Sequence, residues 1–326
     1  MKDKVKVSLV QFAPVWLDRH SSAKRMKRFA EEEAAKGSEL IVFPELCNVG
    51  YITPVVVGEP PSFDSETTAA QFASKYIKAS EPVPGPTTDV LEAVTRKYGV
   101  YIVVGISQIH PVVPATLLNS AVLVGPSGLV GIHHKMHIPA DERSYFYPGN
   151  TVDVYRTDLG NLGMLVCYDG RFPEPSRILA LKGAEIICAL SASPRVEHQY
   201  PEMDKYRADC RAQENGVYFI ACNRSGKEGN TVYLGHSAIA KPGGGIIASS
   251  ESENEEVITA ELYNEEIIAF RSSFIGVFRD RRPEMYSLIT EPILPPLPYV
   301  PLSYGGAMSE TDNRGQAIDQ DAGLAT

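Results

Sequence analysis

The chain has 326 residues, 44% of them hydrophobic and 22% charged, which is enough for one large α/β domain or two smaller ones with a sizeable core. A net charge of −9 leaves no basic excess to neutralise phosphates, which argues against nucleic acid as a partner. No run approaches about 18 apolar residues, so no membrane span is expected, and the first apolar stretch is too short for a signal peptide. Five widely spaced cysteines without a CxxC pair point to free thiols in a reducing cytoplasm rather than a disulfide framework.

In chain order, Val5 to Phe12 alternates and then runs apolar, as an inner strand does. Ser21 or Ser22 caps a predicted helix to about Ala35, with Gly37 as its stop. Leu40 to Phe43 is a second buried strand, ended by Pro44, which places Glu45 at its C-terminal mouth. Residues 54–66, rich in Pro, Gly and Ser, read as a loop, and helical patterns follow over 67–80 and 87–98. Tyr101 to Ile106 is a third strand, and Asn119 to Val124 and Leu129 to Lys135 flank the hairpin signal Pro126-Ser127-Gly128. A polar loop over 136–150 precedes strands at Val152 to Arg156 and Leu162 to Val166.

The second half repeats the alternation. Helices near 174–182 and 201–214 alternate with strands at Glu185 to Leu190 and Val217 to Cys222, and three further strands follow at His236 to Ala240, Gly245 to Ser249 and Glu256 to Glu261. Gly243-Gly244-Gly245 is a turn and not a phosphate loop, since no helix and no GKS or GKT follow. From about 284 the sequence becomes Pro-rich and then small and polar. A domain over 1–290 is therefore expected, with a tail over 291–326 that is extended on the body or a partner subunit and partly disordered.

Three residues stand where a strand meets a loop: Glu45 in FPEL, Lys135 in HHKMHIP and Cys167 in LVCYD. Ligand sites of open α/β sheets lie outside the carboxyl ends of strands, so separate strands can bring a carboxylate, an ammonium and a thiol to one pocket. The combination suits nucleophilic acyl transfer. A thiol of ordinary pKa, about 8.5, is mostly protonated at neutral pH. Glu45 takes its proton, Lys135 and the Tyr168 N–H stabilise the oxyanion of a tetrahedral intermediate, ammonia or an amine leaves, and water hydrolyses the thioester. Read singly, each residue also has a plain reading: a solvated carboxylate, a surface lysine, an inert buried cysteine. His133, His134 and His137 lie close in sequence, but a strand puts the first two on opposite faces and no HExxH or CxxC spacing appears, so no metal is expected. A redox thiol role for Cys167 lacks a resolving cysteine nearby in sequence.

The segments FPEL, GIHHKMHIP, CYDGRFPEPSRILALKGAEII and RDRRPEMY, in that order, resemble the nitrilase superfamily of carbon–nitrogen hydrolases over about residues 4–290. The resemblance implies a four-layer αββα sandwich, two mixed β-sheets covered by helices, assembled as a homodimer or larger homo-oligomer. It implies Glu45 as base, Lys135 as oxyanion stabiliser, Cys167 as nucleophile, and Glu142 in ADERSYFYPG as a second glutamate positioning substrate and lysine. No cofactor is implied. Tyr168-Asp169 after the cysteine departs from the Trp-Glu usual in true nitrilases and resembles amidase and carbamoylase branches. Where carbamoyl-amino-acid hydrolases carry two arginines, Gly170 stands at the first place and Arg171 at the second. The expected substrate is thus a small-molecule amide or N-carbamoyl compound, with a nitrile, or a binding protein that keeps the fold without turnover, as alternatives. Loop position adds Tyr51, Phe146, Tyr147, Ala192, Ser193 and Pro194 as pocket candidates.

Overall fold

A computed structural model describes residues 1–51, 69–196, 200–229, 231–274 and 276–291. The loop expected over 54–66 and the tail from 292 lie outside these residues. The chain divides into two compact units, Met1–Asp280 and Arg281–Thr326. In the second, Pro283–Met285 forms a 3₁₀ turn and Ser287–Thr290 a short helix.

The first unit is built on two six-stranded mixed sheets that share no strand. In chain order its strands are β1 (Lys4–Gln11), β2 (Leu40–Val42), β3 (Tyr101–Ile109), β4 (Leu117–Gly125), β5 (Gly128–His134), β6 (Val154–Thr157), β7 (Gly160–Val166), β8 (Ile186–Ser191), β9 (Tyr218–Asn223), the short ribbon β10 (Lys227–Glu228) and β11 (Thr231–Val232), then β12 (Ala238–Ala240), β13 (Ile246–Ser249) and β14 (Glu256–Tyr263). Sheet one has the order β14-β1-β2-β3-β4-β5, and sheet two the order β13-β12-β9-β8-β7-β6. Each has three parallel strands at its centre, β1-β2-β3 and β9-β8-β7, with antiparallel wings.

The layering follows from period-two burial. In β1, Val5, Val7 and Leu9 face sheet two and meet Leu162, Met164 and Val166 of β7 and Ile186, Cys188 and Leu190 of β8 in a core between the sheets. Val10 points the other way, with Ile41 and Phe43, onto Met26 and Ala30 of α1 (Arg19–Ala35). Leu91 and Val94 join that layer from α3 (Pro86–Tyr98), which follows α2 (Ala69–Ala79) in the chain. On the far side of sheet two, Leu165, Ile187 and Phe219 pack against α4 (Pro173–Leu181) and α5 (Met203–Asn215). The result is the expected αββα sandwich. No helix among the described residues is long and apolar enough to cross a membrane.

Several local expectations are corrected. Helix α1 begins at Arg19, and its cap is Asp18, whose Oδ1 accepts the Ser21 N–H at 3.0 Å. Ser22 is instead buried one turn in, bonded to both backbone groups of Val15. The polar loop over 136–150 contains a 3₁₀ turn at Ala140–Ser144. Helix α6 (Asn264–Arg271), directly after β14, was not expected.

Candidate active site

The loop ends place a charged cluster and a thiol together. Glu45 follows β2 in a turn that sits tightly on β3. A Cβ at Gly105 would stand 2.4 Å from Pro44 O and 2.6 Å from the Glu45 Cα, so only glycine admits this approach. The turn is fixed by the Cys47 N–H to Gly105 O bond at 2.7 Å, and Leu46 takes a left-handed φ of 52°. Lys135 follows β5. Its N–H bonds Asn119 O and its carbonyl accepts the Gly149 N–H, both at 2.8 Å.

Glu45, Lys135 and Glu142 are all buried. The Lys135 ammonium donates to Glu45 Oε1 at 2.8 Å and to both oxygens of Glu142 at 2.9 and 2.8 Å. Asn119 Nδ2, from β4, donates to the same Glu45 Oε1 at 2.7 Å. Glu45 Oε2 is buried and has no hydrogen-bond partner among the described residues. Tyr51 donates its hydroxyl to Glu142 Oε1, and its N–H bonds Glu228 Oε2 at 3.0 Å. Burial alone would lower the Lys135 pKa, but the carboxylates of Glu142 and Glu45 hold it well above the ordinary lysine value. Burial raises the Glu142 pKa, against the pull of Lys135.

Cys167 leaves β7 on the first residue of a 3₁₀ turn, Cys167–Arg171, with a left-handed φ of 47°. For a residue with a Cβ this conformation costs about 1–3 kcal/mol and is characteristic of functional turns. Burial, then the charge of Glu45, raises the thiol's pKa far above its ordinary value, while Lys135 opposes the shift. The environment of the three charged residues thus favours the protonated thiol.

The sequence-derived pocket residues separate into groups. Tyr51 joins the cluster through Glu142. Tyr168 follows the thiol and packs edge-on to Phe172, with the exposed Arg171 guanidinium 5.7 Å from its ring. Ala192 is buried after β8, Ser193 gives its hydroxyl to Asp204 at 2.6 Å, and Pro194 forms a bridge with Tyr233. Phe146 is buried against Tyr76 in an apolar cluster with Leu46 and Leu117, and Tyr147 is 60% exposed beside His110.

Sequence reading missed two residues. Asn119 gave no motif signal, because a lone amide inside a strand has none. Asp169 entered the sequence reading only through the Tyr168-Asp169 pair, with no role in the site, yet it is fully buried and accepts five N–H groups: Val166 N at 3.2 Å, Met136 N at 3.1 Å, His137 N at 2.9 Å, His137 Nδ1 at 2.8 Å and His133 Nε2 at 3.1 Å. Burial would raise its pKa, but the hydrogen bonds from His133 and His137 hold it well below the usual carboxylate range. His134, on the other face of β5, turns to Gln108 at 3.2 Å. Among the described residues no group of three or more His, Cys, Asp or Glu is arranged to hold a metal ion.

Comparisons agree with this architecture. The carbon-nitrogen hydrolase family model matches residues 6–272. A Pyrococcus abyssi protein named nitrilase is 32% identical over 289 residues, covering 86% of this chain and 99% of that protein. An Arabidopsis thaliana N-carbamoylputrescine amidase is 29% identical over 306 residues, covering 88% and 95%. The crystal structure of Saccharomyces cerevisiae Nit3, a member of branch 10 of the nitrilase superfamily, superposes with a TM-score of 0.71 at 28% identity, covering 84% of this chain and 95% of that one. With its two-sheet sandwich and a family match across most of its length, the chain belongs to the carbon-nitrogen hydrolases of the nitrilase superfamily.

Proposed function

We propose that the protein hydrolyses the C–N bond of a small primary amide or N-carbamoyl compound through a thioester on Cys167. The observation that carries this reading is the free oxygen of Glu45: Oε1 is held by Lys135 and Asn119, and Oε2 is buried without a partner among the described residues, within electrostatic reach of a neutral thiol. Glu45 Oε2 takes the thiol proton as Sγ bonds to the carbonyl carbon. The Lys135 ammonium and the Tyr168 N–H stabilise the resulting oxyanion. Glu45 returns the proton to the nitrogen as the C–N bond breaks and ammonia leaves. A water then attacks the thioester, Glu45 takes its proton, and the thiolate leaves as a thiol. Glu142 carries no proton in this scheme; it fixes Lys135, and Tyr51 fixes Glu142.

The Tyr168-Asp169 pair supports an amide or carbamoyl substrate. The relative named nitrilase supports a second reading, in which the same thiol attacks a nitrile carbon. Five cysteines with none paired support a reducing, cytoplasmic setting, and assembly as a homodimer or larger homo-oligomer is part of the proposal. The test is ammonia release from a panel of primary amides, N-carbamoyl amines, N-carbamoyl amino acids and nitriles, with Cys167→Ala beside the wild type. Turnover of amides or carbamoyl compounds, lost in the variant, is the expected result. Turnover of nitriles alone selects the second reading, and turnover that survives Cys167→Ala overturns both.

A further inference from the structure

We infer that Asp169 is the positioning residue that holds the thiol-bearing turn of sheet two in register with the lysine-bearing loop of sheet one; this rests on the reactive roles proposed above. The two sheets share no strand, so no ladder of backbone hydrogen bonds fixes their offset. Apolar side-chain packing, which is non-directional, fills most of the space between them. Directional bonds also cross it, as where Tyr155 donates its hydroxyl to Ile132 O at 2.5 Å and the Tyr263 N–H bonds the Tyr218 hydroxyl at 2.8 Å, but neither touches the residues next to Lys135 and Cys167. Yet the proposed chemistry needs groups from both: Glu45 and Lys135 from sheet one, Cys167 from sheet two. A misplacement of about 1 Å costs such a site roughly a hundredfold in rate.

Asp169 spans the gap at the point of need. Its Oδ2 accepts the N–H of Val166, the residue immediately before the nucleophile, at 3.2 Å. Its Oδ1 accepts the N–H of Met136, the residue immediately after the lysine, at 3.1 Å, and that of His137 at 2.9 Å. The two imidazoles complete the grip. Because an ionised carboxylate only accepts, His137 Nδ1 and His133 Nε2 both carry the proton they share with it, at 2.8 and 3.1 Å. The His137 ring also stacks on Phe172, at 3.9 Å between centroids and 17° between planes, just beyond the same turn. One buried carboxylate thus ties residues flanking Lys135 to residues flanking Cys167, and it stabilises the strained backbone of the nucleophile. A turn former with no such role has no reason to be buried with five donors converging on it.

Asparagine at 169 keeps the shape, but it replaces one acceptor oxygen with an NH₂ that faces N–H donors. The test measures the pH profile of Cys167 alkylation by iodoacetamide, because the ionisation of this thiol responds to its burial and then to its distance from Glu45 and Lys135. Asp169→Asn removes a charge as well as the grip. His137→Phe is therefore measured beside it: it keeps the Asp169 charge and the ring stack and removes one arm. Val94→Ala, in the layer between sheet one and its helices, is the control for lost stability alone. The expected result is a displacement of the profile by about half a pH unit or more in Asp169→Asn, and a smaller one of the same sign in His137→Phe, with Val94→Ala superposing on wild type. On a compound the panel identifies as a substrate, kcat of Asp169→Asn falls about 10- to 100-fold with little change in KM. If Asp169→Asn does not fold, His137→Phe alone decides. Profiles that superpose on wild type in the folded variants overturn the inference. If Cys167→Ala is dead while Asp169→Asn keeps wild-type kcat, the positioning role falls and the hydrolase reading stands. If Cys167→Ala keeps turnover, the hydrolase reading itself falls.

Discussion

The two sheets are built alike and equipped differently. Each has three parallel strands at its centre and antiparallel wings, and each is covered by helices on its outer face. Sheet one supplies the charged groups Glu45 after β2 and Lys135 after β5, and the neutral amide of Asn119 within β4. Sheet two supplies the Cys167 thiol, the proposed nucleophile, after β7. In sheet one the functional side chains hold one another, because a buried ammonium and two buried carboxylates are tolerable only as a hydrogen-bonded set. In sheet two burial favours the uncharged thiol, and what is fixed is the backbone, at a left-handed φ and through the hydrogen bonds of Asp169. One half of the site is thus organised by electrostatics and the other by geometry.

Variants on the two sides break this contrast in different ways. The largest effect on activity is expected on sheet two: Cys167→Ala removes the bond-forming atom, and turnover drops by about 10⁴-fold or more with stability nearly unchanged, read by ammonia release and urea unfolding. On sheet one, Lys135→Met leaves Glu45 and Glu142 buried without their cation. It destabilises the fold by about 3–5 kcal/mol as well as ending turnover, and the urea midpoint reports the difference. A milder cut, Tyr51→Phe, takes one hydroxyl from Glu142 at about 1 kcal/mol, so a several-fold loss of kcat and a small shift in unfolding midpoint are expected.

The resting thiol gives the smallest but sharpest reading. Burial and Glu45 raise its pKa, so less of it is ionised at neutral pH than in a free cysteine. The iodoacetamide rate of Cys167 therefore continues to climb beyond about pH 8.5, where a free thiol begins to level off. A plateau below that value would mean a thiolate–cation pair instead.

Much of this contrast was legible in the sequence. The strands of both sheets were found because buried strands are short apolar runs between breakers, and Glu45, Lys135 and Cys167 declared themselves by standing at strand ends. What escaped depends on pairings that only the fold creates. Asp169 meets His133 and His137 across 36 and 32 residues, so its role could not be seen beside Gly170 in a turn. Asn119 is equally silent until β4 brings it to Glu45. Helix α6 did leave a signal, acidic residues in its first turn and Arg271 in its last, but eight residues carry too little periodicity to stand out. Asp18 was passed over as a cap because Ser21 and Ser22 offered the same chemistry three and four residues later.

The most direct test of cooperation between the sheets is Glu45→Gln, assayed for turnover and for Cys167 alkylation in the same preparation. If the carboxylate of sheet one is the base for the thiol of sheet two, turnover falls by about 10²- to 10⁴-fold. Alkylation at neutral pH is then kept or quickened, since a charge that raised the thiol's pKa is gone. A folded Glu45→Gln protein whose turnover stays within about twofold of wild type would contradict the account, because the thiol would then be finding its base elsewhere.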